Sequence, residues 1–462
     1  MLIKAIQQAI TPDALADWRT LYQAYVDPDR IPDPILEGSR APGEIRRGDT
    51  LTLKAIEDFI LFTNEYSEYL ENLIQEINLE EADTTESRLR DRFQQSFNDS
   101  WAPLGQVATQ RLVPLYREHL NAATDVAHDY LKQIGLQLDG ALVYFNKVTS
   151  IRYYPYSRIA FLGIPYAQTL QGIGDWMAIP HELGHYLYWN YSSLTDSNNE
   201  PEGSLSRVRD NQQTIKGDAQ NAIQSLYARS KTARDDAIEH TILQWTEEIF
   251  CDVVGTYLAG QHFVESLGDL IRARAGNHGD LLLNDGEHPP HCLRPYIREI
   301  AQRLITNNEE SVVNWQEFFS QYFKVDDPLS MELFIPDPEA KRVFEKMEKS
   351  QLLAIFASEQ PFNETDIPYI KVPVSDFLPG LVVLVGRLLK RLQDIKENAQ
   401  QFTSLQFSRF EELRVLAESE AQSHGRPTHE VIFAPRILEG GWQHSHPAYW
   451  HFTTHELGEH PH

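Results

Sequence analysis

The sequence is poor in cysteine and in long apolar runs. Its 462 residues include two cysteines, Cys251 and Cys292. Secreted domains that depend on disulfides use far more cysteine, so we expect two buried thiols in a reducing compartment. Apolar runs such as Leu381 to Val385 are much shorter than the ~20 residues of a membrane-spanning helix. The first residues also lack the apolar stretch of a signal peptide, and we predict a cytoplasmic protein without a membrane partner.

Basic residues are also scarce, since 41 of them face 67 acidic residues and the formal net charge is −26. A surface of this sign repels the phosphate backbone, so we predict no nucleic-acid partner. Anionic lipid headgroups are repelled for the same reason. The hydrophobic share of 42% is still sufficient for a folded core.

The spacing of apolar residues predicts an α+β fold that is predominantly helical. Helical periodicity dominates up to about residue 138, with a kink expected at Pro114. From Gly140 to Pro165 the chain is rich in β-branched and aromatic residues, which is typical of strands. The predicted organisation is a helical N-terminal region at 1–138, a domain with a small sheet at 139–308 that has a polar insert at 191–234, and a helical C-terminal region at 309–462 with a His-rich tail.

The motif HELGH at 181–185 indicates a metal site. Residues four apart on a helix lie one turn above each other, so His181 and His185 present their imidazoles side by side. Two neutral imidazole nitrogens in this arrangement suit Zn²⁺. Glu182 points about 100° away, where it can reach a zinc-bound water without being a ligand, as a general base requires. The alternative is a pair of helix-face histidines that are satisfied by hydrogen bonds.

A second predicted helix, from Asp235 to Gly260, carries the third ligand that we expect. Its run TEEIFCDVVG places Glu248 and Asp252 four residues apart among apolar residues. A carboxylate in such surroundings is unfavourable unless a cation such as Zn²⁺ neutralises it. We therefore predict Glu248 as a metal ligand and Asp252 as the residue that holds one histidine ligand. The alternative is that Glu248 lies on the surface and Glu247 is the ligand.

The HELGH helix and the EEIFCD helix together resemble the gluzincin metallopeptidases, the thermolysin-like clan. The resemblance spans roughly residues 140–305 and implies a zincin-like domain, a bound Zn²⁺ and peptidase chemistry. The long polar segment between the two helices departs from compact members of the clan. A metzincin instead needs a histidine at position 191, which is Tyr191. The clan pattern of HExxH followed by E-x-x-x-D maps onto His181, Glu182, His185, Glu248 and Asp252.

The segment NDGEHPPHCLRPY supplies candidate donors for the oxyanion that forms during peptide hydrolysis. Its histidine-proline pair followed by an arginine resembles CAAX-type relatives of the same clan. We predict that His288, His291 or Arg294 contacts the oxyanion. The alternative is a Pro-rich surface turn that leads into a helix at 293–305.

The strand-like run SRIAFLGIP offers a candidate substrate-binding edge. An exposed edge strand can pair with an extended peptide through backbone hydrogen bonds, and we predict this role for Ile159, Ala160 and Phe161. The alternative is an ordinary interior strand.

These features predict a zinc-dependent peptidase, an endopeptidase in its favoured form, that acts on a protein or peptide substrate and is gated by a regulatory partner or a signal. The rival prediction is a non-catalytic scaffold that holds zinc, or a partner-binding protein derived from a peptidase. Glu182 favours the enzyme, because hydrolysis requires a base at this position and a structural zinc site does not.

Overall fold

The computed structural model divides the chain into two compact units, one formed by Met1–Asp210 with Lys396–His462 and the other by Asn211–Ile395. The predominantly helical α+β class is confirmed. Most of the chain before residue 103, residues 191–216 of the polar insert and most of the His-rich tail lie outside the described residues. Those described are 46–59, 103–136, 140–146, 149–153, 159–165, 176–190, 217–226, 232–275, 278–282, 288–308, 310–336, 369–399, 432–434, 438–441 and 451–453.

Among the described residues of the first unit, two helices are separated where the sequence predicts a kink. A proline has no amide to donate and fits best in the first turn of a helix. Accordingly, one helix stops at residue 111 and the next starts at Pro114. That second helix ends at Gly135, whose positive φ of 95° suits glycine. The helices are α1 at 47–59, α2 at 103–111 and α3 at Pro114–Ile134.

The first unit also holds a four-stranded sheet that includes β1 at Gly140–Asn146, β2 at Ser150–Tyr153 and β3 at Ile159–Pro165. The strand order is β1, β3, β2 and then a strand at Leu438–Gly441. The β1 and β3 strands are parallel, whereas β2 is antiparallel to both of its neighbours. The sheet therefore has β3 in its interior.

This strand order corrects the prediction of an exposed substrate-binding edge. Ala160 pairs with Ala141 on one side of β3 and with Tyr153 on the other. Ile159, Ala160 and Phe161 are also buried. The predicted backbone pairing of these three residues with a substrate is wrong, because neighbouring strands already occupy both sides of β3.

The outer edge of β1 is covered by side chains from α2 and α3. Arg111 donates from Nη2 to the Val143 carbonyl at 2.8 Å, and the Val143 amide donates to Thr124 Oγ1 at 3.2 Å. Gln110 forms a reciprocal pair with the backbone of Phe145, at 2.7 and 2.8 Å. These contacts satisfy amides and carbonyls that an uncovered edge strand leaves open to another chain.

Helix α4, at Ala178–Asn190, carries the HELGH motif and packs against β2, β3 and α3. Its apolar residues Ile179, Leu183 and Leu187 are fully buried. Pro180 lies in its first turn, as predicted. Apolar packing on the sheet therefore fixes the rotation of this helix about its axis.

The second unit is mainly helical, with a two-stranded antiparallel sheet. Its strands are β4 at Glu332–Pro336 and β5 at Tyr369–Pro373. Its longer helices among the described residues are α5 at 217–226, α6 at Ala233–Gln244, α7 at Thr246–Ala259, α8 at Gln261–Arg274, α9 at Arg294–Thr306, α10 at Trp315–Phe323 and α11, which begins in this unit, at Leu378–Asn398. A four-residue helix lies at His278–Leu281.

The predicted single helix from Asp235 to Gly260 is two helices, α6 and α7. A capping box between Thr232 and Asp235 starts the first. The backbone leaves helical geometry at Trp245, with φ −81° and ψ 2°, and the buried indole packs against Phe377 at 5.5 Å between ring centroids. Gly260, with a positive φ of 59°, ends α7 as predicted.

A close approach at Gly255 brings α7 against α8. A Cβ at this position would lie 2.3 Å from the nearest carbon of the Phe263 ring. The ring is buried and has the Arg298 guanidinium 3.8 Å from its centroid, so it has little room to move. Glycine at position 255 therefore permits the packing of α7 against α8.

No helix in the described part of the chain combines the length and the apolar character needed to cross a membrane.

We predict that Gly255→Ala lowers the free energy of unfolding by about 1–3 kcal/mol, because the added methyl group overpacks a tight contact. Urea denaturation followed by circular dichroism measures this change. Gly217→Ala is the matched control, since nothing lies within 4 Å of a Cβ built there. Equal stability of the two variants would contradict the role assigned to Gly255.

Candidate metal centre

The histidine half of the candidate site lies on α4. The rings of His181 and His185 lie on adjacent turns, 5.3 Å apart between centroids and at an interplanar angle of 83°. Both side chains are 0% exposed. Two imidazoles on successive turns of one helix form a donor set that fits Zn²⁺.

Glu182 follows His181 directly and is 1% exposed. Buried carboxylates are uncommon because removing the charge from water is unfavourable without compensation. Two histidines that only pack in a core do not require a buried carboxylate beside them, so the burial of Glu182 favours a metal site. The arrangement is the one that the HELGH spacing predicts.

The carboxylate half of the candidate site lies in the second unit. Glu248 on α7 is 2% exposed, whereas Glu247 is only half-buried. His288 Nε2 lies 3.5 Å from Glu248 Oε1, and Arg294 Nη2 lies 3.8 Å from Glu248 Oε2. The alternative in which Glu248 is a surface residue is therefore wrong, and two of the predicted oxyanion donors lie beside its carboxylate.

Asp252, one turn after Glu248, is fully buried between two arginines. Arg294 binds it through both edges of the carboxylate, from Nε to Oδ2 at 3.0 Å and from Nη2 to Oδ1 at 2.9 Å. Arg298 donates from Nε to Oδ1 at 3.1 Å. Sequence reasoning missed Arg298. Its signal was a second arginine four residues after Arg294, on the same face of the same helix.

For both guanidiniums, burial lowers the pKa and the neighbouring carboxylates raise it. Burial tends to lower the pKa of Arg294, but the carboxylates of Asp252 and Glu248 outweigh it and leave this pKa above its ordinary value. Burial lowers the pKa of Arg298 to about 10 against the attraction of Asp252. Both groups therefore carry a positive charge at neutral pH.

The turn before α9 is buried, which contradicts the alternative of a Pro-rich surface turn. His288 and the two prolines that follow it are buried, and His291 is half-buried. The amide of Cys292 donates to the Leu281 carbonyl at 3.1 Å. Both cysteines are buried thiols, as predicted, and burial raises the pKa of Cys292 to about 12.

The two halves of the candidate site belong to different units. The assignment of Glu248 as the third ligand stays a prediction, as does the contact of Asp252 with a histidine ligand. The oxyanion contacts of His288, His291 and Arg294 also stay predictions.

No protein-family model, no curated protein and no solved structure shows significant similarity to this chain.

We predict that Asp252→Asn lowers the free energy of unfolding by about 3–5 kcal/mol, because it removes one of the two buried carboxylates that balance the guanidiniums of Arg294 and Arg298. Urea denaturation of the variant and the unaltered protein tests this. Asp269→Asn is the matched control, because Asp269 pairs with Arg272 on an exposed part of α8. The control should unfold like the unaltered protein. A similar result for Asp252→Asn would contradict the structural importance of the ionic cluster.

Proposed function

We propose that this protein is a zinc-dependent peptidase of the gluzincin type, with a zincin-like domain around the HELGH helix. The observation that carries the proposal is the pair of buried imidazoles on adjacent turns of α4, with the buried carboxylate of Glu182 beside them. Buried ionisable groups gathered on one short segment are typical of catalytic and metal sites.

His181 and His185 would hold the zinc ion. When bound, zinc lowers the pKa of a water and polarises the carbonyl of a peptide bond. Glu182 accepts the proton of the attacking water and delivers it to the leaving amine.

Helix α7 offers two candidates for the third metal ligand. Glu248 is buried, with His288 and Arg294 close to its two oxygens. Cys251 is a buried thiol three residues later, near enough to Arg294 to interact electrostatically with it. The thiolate is the form of cysteine that binds zinc. We favour Glu248, because the HExxH and E-x-x-x-D pattern identifies this residue.

The second candidate function is a protein that holds zinc for structure only. The near-complete burial of His181, Glu182 and His185 favours it, because a substrate must reach the metal and a structural ion need not be accessible. In the enzyme, this burial corresponds to a closed state that a regulatory partner or signal opens to a protein or peptide substrate.

We predict that the purified protein contains one zinc ion and that Glu182→Gln keeps this ion but loses peptidase activity. Loss of a general base typically lowers the rate by about 10²- to 10⁴-fold. Elemental analysis measures the zinc content. Mass spectrometry of new termini in a proteome-derived peptide library measures cleavage.

The matched control is His181→Ala with His185→Ala, which should lose both zinc and cleavage. If the unaltered protein binds zinc but cleaves no peptide in the library, and no self-cleavage is found, the scaffold function replaces the peptidase. If it binds no zinc, both candidates are wrong.

A comparison of Glu248→Gln with Cys251→Ala identifies the third ligand. We expect Glu248→Gln to weaken zinc binding strongly and Cys251→Ala to leave it nearly unchanged, because a thiol that is not a ligand contributes only packing. Competition with a chromophoric chelator gives both affinities. The reverse order would assign the role to Cys251.

A further inference from the structure

We propose that Arg294 is a positioning residue, which fixes the carboxylate of Glu248, and that Asp252 and Arg298 hold Arg294 in place. The inference rests on the proposed function, because it takes Glu248 to be a metal ligand. It also changes the role predicted for Arg294, which then acts through Glu248 and not on the substrate.

The contacts of Arg294 connect the two buried carboxylates of α7, those of Glu248 and Asp252. Its Nε and Nη2 bind the two oxygens of Asp252 at 3.0 and 2.9 Å. The same Nη2 lies 3.8 Å from Glu248 Oε2. A planar guanidinium that is bound through two nitrogens keeps its orientation, so the charge that it presents to Glu248 is fixed in space.

Arg298 anchors this arrangement from the next turn of α9. It binds Asp252 through Nε and Nη2, at 3.1 and 2.9 Å from Oδ1. Its Nη1 donates to the Phe263 carbonyl at 2.8 Å, and its guanidinium lies 3.8 Å from the centroid of the Phe263 ring. Helix α8 therefore takes part in holding Asp252, and Asp252 in turn holds Arg294.

The four buried groups balance in charge, with two carboxylates facing two guanidiniums. This balance favours the burial of Glu248, while Asp252 accepts two hydrogen bonds from the Arg294 fork. The other oxygen of Glu248 faces His288. The oxyanion role predicted for this segment then belongs to His288 or His291.

The test compares Arg294→Lys with Arg298→Lys. Both substitutions keep a positive charge beside Asp252 and remove a planar fork, so both should lower the urea midpoint. Arg294 lies within ion-pair distance of Glu248, at 3.8 Å, whereas the hydrogen bonds of Arg298 go to Asp252 and to the Phe263 carbonyl. We therefore expect Arg294→Lys to weaken zinc binding by about 10- to 100-fold, the range for residues that orient metal ligands, and Arg298→Lys to weaken it less. Chelator competition gives the affinities.

Arg303→Lys is the control for a general effect of substitution on α9, because Arg303 pairs with Glu299 and is partly exposed. It should bind zinc like the unaltered protein. If Arg294→Lys does not fold, the charge-balanced variants Arg294→Gln with Asp252→Asn and Arg298→Gln with Asp252→Asn replace the pair. Zinc binding should be weaker in the first of these.

The outcomes separate the inference from the proposed function. If the unaltered protein binds zinc, and Glu248→Gln weakens zinc binding but Arg294→Lys does not, then the inference is wrong and the proposed function stands. Equal losses of zinc affinity in the Arg294 and Arg298 variants would show a purely structural role and would also overturn it. If the unaltered protein binds no zinc, or Glu248→Gln has no effect, the ligand assignment fails and the inference fails with it.

Discussion

The carboxylate of Asp252 lies between two guanidiniums on successive turns of α9, out of contact with bulk water. Each charge alone would be strongly unfavourable in this position, and together they are compatible with burial. The cluster joins α7 to α9 directly and to α8 through Phe263. The place of Glu248, one turn earlier on α7, depends on this ionic contact.

The two halves of the proposed centre are held by different forces. On α4, apolar side chains pack against β2, β3 and α3, and this packing fixes where His181 and His185 point. On α7, buried charges orient Glu248. Apolar packing tolerates modest changes of shape, whereas a buried ion pair that loses one member leaves an uncompensated charge. Substitutions in the second half should therefore affect stability more sharply than those in the first.

The sequence predicted correctly those features that depend on residues within a single segment. The break at Pro114, the end of α7 at Gly260 and the placing of HELGH on a buried helix follow from local rules. Sequence reasoning failed where the outcome depends on distant residues. The interior position of β3 depends on β1, which pairs with it directly although β2 lies between them in the sequence, and periodicity within β3 does not reveal this. The pairing of Asp252 with Arg298 likewise joins residues 46 apart in the chain.

The side chains that cover the edge of β1 link the stability of the sheet to that of its helices. Gln110 and Arg111 reach the strand from α2, and Thr124 reaches it from α3. If α2 unwinds, the carbonyl of Val143 and both backbone groups of Phe145 lose these partners and become open to a strand of another molecule. Partial melting of one short helix would thus convert a protected β-strand into a site of self-association, before the core of the sheet has opened.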